Sequence, residues 1–249
     1  MQSPIHARGN EEMGLGDDLL AAGQAKLLGR TVKIGDGSSV WKRNPLFDYI
    51  PYLDKSSDEW FIDYGGNRGY IKTIDRKRKR VVNGDKVTVE NYDRIRFNMD
   101  YRAEPSIIDV EPIENDYVII EPHIKPGQAP GKQWHYFDKV VDCGIKFLQF
   151  NSDSLGCDHR DTTIVEAAQW MAGSRGYFGP EGFLSHLAAA FGKPAVVLFG
   201  AYTHPQVTGY DFHHNIFRDV PEELGHSTNV GAMDTISPEE VLEALHANY

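Results

Sequence analysis

"GPEGFLSHLAAAFGKPAVVLFG", residues 179–200, is the stretch whose reading decides the fold. A Gly-Pro-Glu-Gly turn leads into a helix of small residues that stops at Gly192. Pro194 then opens an almost wholly apolar strand, Ala195 to Phe199. A helix N-terminus carries unpaired N–H groups and a partial positive charge, so it attracts phosphate. Gly179 and Gly182 would let the backbone approach a ligand, because no Cβ intervenes. Ala188, Ala189 and Ala190 would seat the helix close on a sheet. Glu181 can accept hydrogen bonds from sugar hydroxyls, and His186, one turn in, can donate to a phosphate oxygen. The same spacing also fits a plain strand-to-helix turn whose glycines serve packing.

Working outward, the second half of the chain alternates. Asp116–His123 reads as a strand closed by Pro122, and Gly127–Gly131 as a loop. Trp134, Phe137, Val140 and Val141 recur at helical spacing, which predicts a helix ending at Gly144. Ile145–Phe150 reads as a second strand, followed by the polar loop NSDSLGCDHRD and an amphipathic helix over Thr163–Ala172. A short strand at Gly176–Phe178 precedes the opening helix. A strand over Asn215–Arg218 and a helix from Pro238 to His246 complete the series. Ser237-Pro238-Glu239-Glu240 supplies an N-cap, a first-turn proline and acids placed where the helix dipole favours them. Strands alternating with helices predict a parallel sheet covered on both faces, a Rossmann-like domain that binds ligands at the carboxyl ends of its strands.

The bulk numbers agree with a soluble protein. The 249 residues are 41% hydrophobic and 25% charged, enough for one large domain or two ordinary ones. The longest apolar runs are about half the length a membrane-spanning helix needs, so no transmembrane segment is expected. The N-terminal residues show no export signal, and Cys143 and Cys157 form no CxxC pair. A reducing cytoplasm is therefore the expected location, with the inner face of a membrane as a peripheral variant. The net charge of −10 argues against a protein that coats itself with nucleic acid. Residues 72–80, KTIDRKRKR, are a local exception, with six basic side chains against one Asp.

The first half is less regular. A helix is expected over Asp18–Leu28, with short strands at Val32–Ile34 and Trp60–Tyr64. The second of these leads into Gly65-Gly66-Asn67-Arg68-Gly69. Residues 76–90 read as a hairpin turning at Asn83-Gly84, and Arg94–Tyr101 as a further strand. The acidic, Pro-containing segment near Glu111–Asn115 marks the expected boundary between domains 1–114 and 115–249.

Several motifs, taken in order, resemble glycosyltransferase family 9, the heptosyltransferases of lipopolysaccharide synthesis. The donor-binding region of that family runs from an acidic residue to His-Leu-Ala-Ala-Ala, here Glu181-Gly182-Phe183-Leu184-Ser185-His186-Leu187-Ala188-Ala189-Ala190. Gly192-Lys193-Pro194, Phe199-Gly200 and Thr203-His204-Pro205 follow in the family's order. Lys132-Gln133-Trp134 matches its Lys-x-Trp, and Leu15-Gly16-Asp17 its N-terminal Gly-Asp. The resemblance implies an α/β fold of GT-B type, two Rossmann-like domains with a reduced, β-rich N-terminal one. The first domain would bind the acceptor and the second the donor.

It also implies an inverting, metal-independent glycosyl transfer from an ADP- or UDP-linked sugar co-substrate, with no further cofactor. Asp17 matches the family's candidate base. Lys132 and the amides after Glu181 would meet the departing diphosphate. Gly182, Phe183, Ser185 and His186 line the same donor site, Glu181 would touch the transferred sugar, and Thr203 is a further donor-site candidate.

Departures accompany the match. The first domain is short, Glu181 is one methylene longer than the family's Asp, and the Thr-Asp-Pro turn has become Thr203-His204-Pro205. The basic segment is no family signature. It fits either a solvated edge hairpin or a polyanion contact, with Asn67, Arg68, Arg78 and Arg80 as candidate acceptor-binding residues. The polyanionic acceptor would be a saccharide or glycolipid, or alternatively hydroxymethylated DNA. A non-catalytic sugar-nucleotide binding module is the remaining alternative. On the residues alone, Asp17 or Asp18 could serve only the helix dipole, Lys132 could be a loop lysine, and His186 a satisfied helix histidine. His213 and His214 read as structural, and His123 lies near the expected cleft.

Overall fold

The computed structural model describes residues 15–27, 33–34, 44–53, 60–61, 74–75, 80–81, 102–124, 130–200, 203–218 and 233–249. The chain begins with helix α1 (Leu15–Leu27), strand β1 (Lys33–Ile34), a 3-10 turn at Pro45–Tyr49 and β2 (Trp60–Phe61). β1 and β2 pair in parallel, and β3 (Ile74–Asp75) pairs antiparallel with β4 (Arg80–Val81). The remaining elements are β5 (Val118–Ile120), β6 (Phe147–Phe150), β7 (Asp158–Arg160), α2 (Ile164–Gly173) and β8 (Gly176–Pro180). They are followed by α3 (Phe183–Ala190), β9 (Ala195–Phe199), α4 (Pro205–Thr208), β10 (His214–Phe217) and α5 (Pro238–Asn248).

β5 to β10 form one six-stranded sheet in the order β10-β9-β8-β5-β6-β7, every pair parallel. The chain runs outward from β5 through β6 to β7. It then crosses back through α2 to β8, on the other side of β5. The order therefore reverses between β5 and β8, and the crevice at such a reversal is where open α/β sheets bind ligands. Pro180 ends β8 there, so Glu181 emerges at the reversal.

Side chains alternate along the strands and divide the core in two. Ile119, Leu148, Tyr177, Val197 and Phe199 pack with Leu187 and Ala188 of α3, Ala167 and Met171 of α2, and Leu19 and Ala22 of α1. Leu46, Phe47 and Ile50 join the same cluster, so described residues of the N-terminal region share a core with the sheet. On the opposite face Val118, Ile120, Phe178, Val196 and Leu198 pack with Trp134, Phe137 and the α5 residues Val241, Ala244 and Leu245.

Local sequence explains the principal helices. Thr163 caps α2 in a reciprocal box: its hydroxyl accepts from Glu166 N (3.2 Å), and Glu166 Oε2 accepts from Thr163 N (2.8 Å). Ser237 caps α5 by accepting from Glu240 N at 3.2 Å.

Three sequence expectations differ from what is found. The helix expected from Trp134 is replaced by 3-10 turns at Pro130–Lys132 and Phe137–Lys139. Trp134 Nε1 donates to Ile236 O (2.9 Å) and His135 N to Asp234 Oδ1 (2.9 Å), ties that hold this stretch against the segment before α5. The polar loop after β6 contains the edge strand β7, whose exposed Asp158, His159 and Arg160 carry no apolar alternation. Arg80–Val81, expected to pair across the Asn83-Gly84 turn, pairs instead with Ile74–Asp75. The Asn83-Gly84 turn and the strand expected at 94–101 lie outside the described residues.

Candidate active site at the strand-order reversal

Three elements bring charge to the carboxyl end of β8. Lys132, on the 3-10 turn after β5, donates through Nζ to Glu181 Oε2 and to Glu181 O, the latter at 3.2 Å. Glu181 Oε1 lies 3.2 Å from His186 Nε2, and His186 Nδ1 lies 3.0 Å from the Tyr210 hydroxyl. A carboxylate only accepts, so His186 Nε2 donates to Glu181. The side chains are 16% exposed for Lys132, 7% for Glu181 and 1% for His186, which makes this a buried chain of polar groups. Burial by itself would raise the Glu181 pKa. The Lys132 ammonium and the His186 hydrogen bond overcome it and hold the carboxyl well below its ordinary value.

The turn into α3 is self-capped. Ser185 Oγ accepts from Gly182 N at 3.0 Å and donates to Gly182 O at 2.8 Å. The first helical acceptor bond is His186 N to Gly182 O at 3.2 Å, so the amides of Phe183, Leu184 and Ser185 precede it. A Cβ on Gly182 would meet nothing within 4 Å, so the space in front of this turn is open. Gly179 differs from expectation: a Cβ there would come within 2.5 Å of the Tyr177 hydroxyl and 2.6 Å of Glu121 O. Its missing side chain serves packing between strands rather than access for a ligand.

The N-terminal motif meets this turn. A Cβ on Gly16 would lie 3.1 Å from Phe183 N, 3.2 Å from His186 Cδ2 and 3.4 Å from Gly182 C. Gly16 and Phe183, 167 positions apart in the chain, thus meet where the first turns of α1 and α3 come together, and a Cβ at Gly16 would crowd this approach. Asp17 stands in that first turn of α1. Its neighbour Asp18 is buried, and Asn44 Nδ2 donates to Asp18 Oδ2 at 3.0 Å.

The other candidates are distributed as follows. Phe183 is half-buried against the α1–α3 core. Thr203 is buried, and its hydroxyl lies 3.1 Å from that of Thr208. Arg80 is in β4, opposite Asp75. Asn67, Arg68 and Arg78 lie outside the described residues. His123 Nε2 sits 3.1 Å from Ser152 Oγ and 3.1 Å from Ser154 Oγ, at the ends of β5 and β6. His213 is buried, and burial first of all pushes its pKa down to about 4.

The sequence reading did not assign roles to Tyr210 or Glu121. Glu121 is marked by its place, the first polar residue after the apolar run Val118–Ile120.

A parallel sheet with a buried charge chain at its order reversal is an α/β architecture of the Rossmann-like kind. No protein-family model and no curated protein sequence matches the chain. Among solved structures, it shares its fold with E. coli ADP-heptose LPS heptosyltransferase II, with a TM-score of 0.52 at 15% identity. That alignment covers 94% of this chain and 93% of the other. E. coli heptosyltransferase WaaC with ADP aligns at a TM-score of 0.43 and 16% identity, over 56% of this chain and 46% of that one. A glycosyl transferase family 9 structure from Veillonella parvula aligns at 0.42 and 20% identity, over 53% and 45%. The chain spans about half the length of these last two proteins. Among the described residues, no helix is long and apolar enough to cross a membrane.

Proposed function

We propose that the chain is an inverting glycosyltransferase that moves a sugar from a nucleotide-diphosphate sugar to an acceptor hydroxyl. The observation that carries this reading is the seating of Gly16 on the Gly182–His186 turn. It sets a first-turn aspartate beside an anion-attracting helix start at the point where the sheet order reverses. In the reaction the acceptor oxygen forms a bond to the anomeric carbon as the bond from that carbon to the diphosphate oxygen breaks. Asp17 takes the acceptor proton. The nucleoside diphosphate leaves with the bonding electrons.

The Lys132 ammonium is held against Glu181, beside the turn into α3. With the α3 amides it meets the negative charge that grows on the leaving group, in a scheme that asks nothing of a metal. Glu181, held ionised, is suited to the hydroxyls of the transferred sugar. Residues 1–114 would serve the acceptor and 115–249 the donor. The basic run from Arg76 to Arg80 fits an anionic acceptor such as a phosphorylated saccharide or glycolipid. A cytoplasmic place follows from this choice of substrates.

The test begins with ADP-, UDP-, GDP- and TDP-sugars screened by thermal shift, since the matching donor raises apparent stability by mass action. Turnover is then compared between the protein and Asp17→Asn in the presence and absence of a chelator. A donor that binds, and a turnover that the substitution lowers about 100-fold or more while the chelator leaves it unchanged, are expected. Undiminished turnover in Asp17→Asn rules out Asp17 as the base. Binding without transfer to any acceptor leaves a binding module.

A further inference from the structure

The scheme above leaves one carboxyl at the strand-order reversal unused. Glu121 directly follows β5, the strand at which the order turns. Ile119 faces the α1–α3 side of the sheet, whereas Val118 and Ile120 face the other. Alternation puts Glu121 on the α1–α3 side, next to Tyr177 and level with Gly179 of the neighbouring strand. Two further bonds and contacts hold it there. Glu121 N donates to Phe178 O at 3.1 Å, and Glu121 Oε1 accepts from His123 N at 2.8 Å. Glu121 Oε2 has no protein partner among the described residues, although the side chain is only partly exposed.

We propose that Glu121 is a substrate-contacting residue of this same site, a neutral carboxylic acid that donates a hydrogen bond from Oε2 to the diphosphate of the donor. The inference rests on the donor reading above. An ionised carboxylate beside a diphosphate would repel it, whereas a protonated one adds a donor to those of Lys132 and the α3 amides. Burial pushes the Glu121 pKa up to about 7, and the His123 amide opposes it only in part. The groups around it do not supply a counter-charge. Tyr177 of β8 is a buried phenol that donates to Pro180 O (2.9 Å) and whose ionisation both Glu121 and Glu181 oppose. Glu181 already engages Lys132 and His186, and the His123 ring is directed to Ser152 and Ser154. Ionisation of Glu121 above neutrality would therefore weaken anion binding.

The sign is fixed by linkage. A ligand that binds only the protonated carboxyl loses affinity by up to about tenfold per pH unit above the carboxyl's pKa. The experiment measures binding of ADP, UDP and inorganic pyrophosphate between pH 6 and 9 by calorimetry, for the protein and for Glu121→Gln. The amide keeps an N–H donor and cannot ionise, and each ligand's own titration cancels in the comparison. The expected result is a ratio of variant to wild-type affinity that climbs toward about tenfold or more between neutrality and pH 9.

A ratio that stays constant with pH overturns the inference, whether the variant binds equally or uniformly worse. Pyrophosphate separates this from the fate of the donor reading. If pyrophosphate binds with the rising ratio while neither nucleotide binds, Glu121 stands as an anion contact and the nucleotide-sugar reading falls. If the nucleotides bind with a flat ratio, the donor reading stands and Glu121 falls. Should Glu121→Gln fail to fold, the amide resonance of His123 in the unaltered protein reports the same carboxyl. Pyrophosphate must raise the pH at which that resonance titrates, and an unmoved midpoint overturns the proposal.

Discussion

Lys132→Met tests whether the charge chain at the end of β8 is a coupled, buried unit. The substitution removes Nζ and leaves Glu181, 7% exposed, with His186 as its remaining side-chain partner. Breaking a buried pair by deleting one member costs roughly 3–5 kcal/mol, because the other charge is left uncompensated. His186 still holds Oε1, so a loss near the lower end, about 3 kcal/mol, is expected at pH 7. The loss must shrink in acid. Glu181 is held below its ordinary pKa of 4.5 in the folded protein, so its stabilisation is present above that value and disappears as pH falls through the folded one.

Urea unfolding of the protein and the variant at pH 7 and stepwise down to about pH 2 measures both effects. The double variant Lys132→Met/Glu181→Gln removes the stranded charge and should recover most of the stability, yet it should bind no nucleotide diphosphate. A single variant that loses less than about 1 kcal/mol at pH 7 refutes the buried coupling. So does a double variant that is no more stable than the single one.

Two further substitutions probe the frame around the site. Gly179→Ala places a Cβ 2.6 Å from Glu121 O and 2.5 Å from the Tyr177 hydroxyl, and the backbone oxygen cannot swing away. The strands must separate locally, so a loss of about 2–3 kcal/mol in chemical denaturation is expected. Thr163→Ala deletes one half of the α2 capping box, which follows β7, three strands along the sheet from β8. It should cost about 1 kcal/mol by the same measurement and leave nucleotide affinity unchanged.

The second half of the fold was legible because its signals are local. The apolar runs at Val118–Ile120, Phe147–Phe150 and Ala195–Phe199, and the cap at Ser237, each predict the element that forms there. The misreadings share a different cause. The segment Trp134–Val141 has helical periodicity but is tied to Asp234 and Ile236, about 100 residues away, and distant bonds overrode local preference. β7 escaped because an exposed edge strand has no buried face to mark it. At the site, sequence order put Gly16-Asp17, Lys132 and Glu181 on one list, but only tertiary geometry pairs Lys132 with Glu181 and seats Gly16 on Phe183. Asp18 shows the limit most plainly. Its identity and spacing match those of Asp17, and only its bond to Asn44 assigns it to the interior.

The energetics of the Lys132–Glu181–His186 chain bear on why it exists. A buried ion pair costs desolvation on both sides, and well-packed apolar residues of similar volume often serve stability as well or better. The surrounding core could have supplied them, since Leu184, Leu187 and Leu198 are all buried nearby in the α3–β9 region. Stability therefore gives little reason for three polar groups to meet at this one position. The position does give a reason, because it is the crevice at which the strand order reverses and at which two helix starts converge. The longer carboxylate of Glu181 matters in the same way. It spans from Lys132 on one side to His186 on the other, and so fixes the ammonium and the imidazole relative to the α3 amides. Under the proposed function, an anion bound at this crevice accounts for polar groups at a position where apolar ones would serve the fold as well.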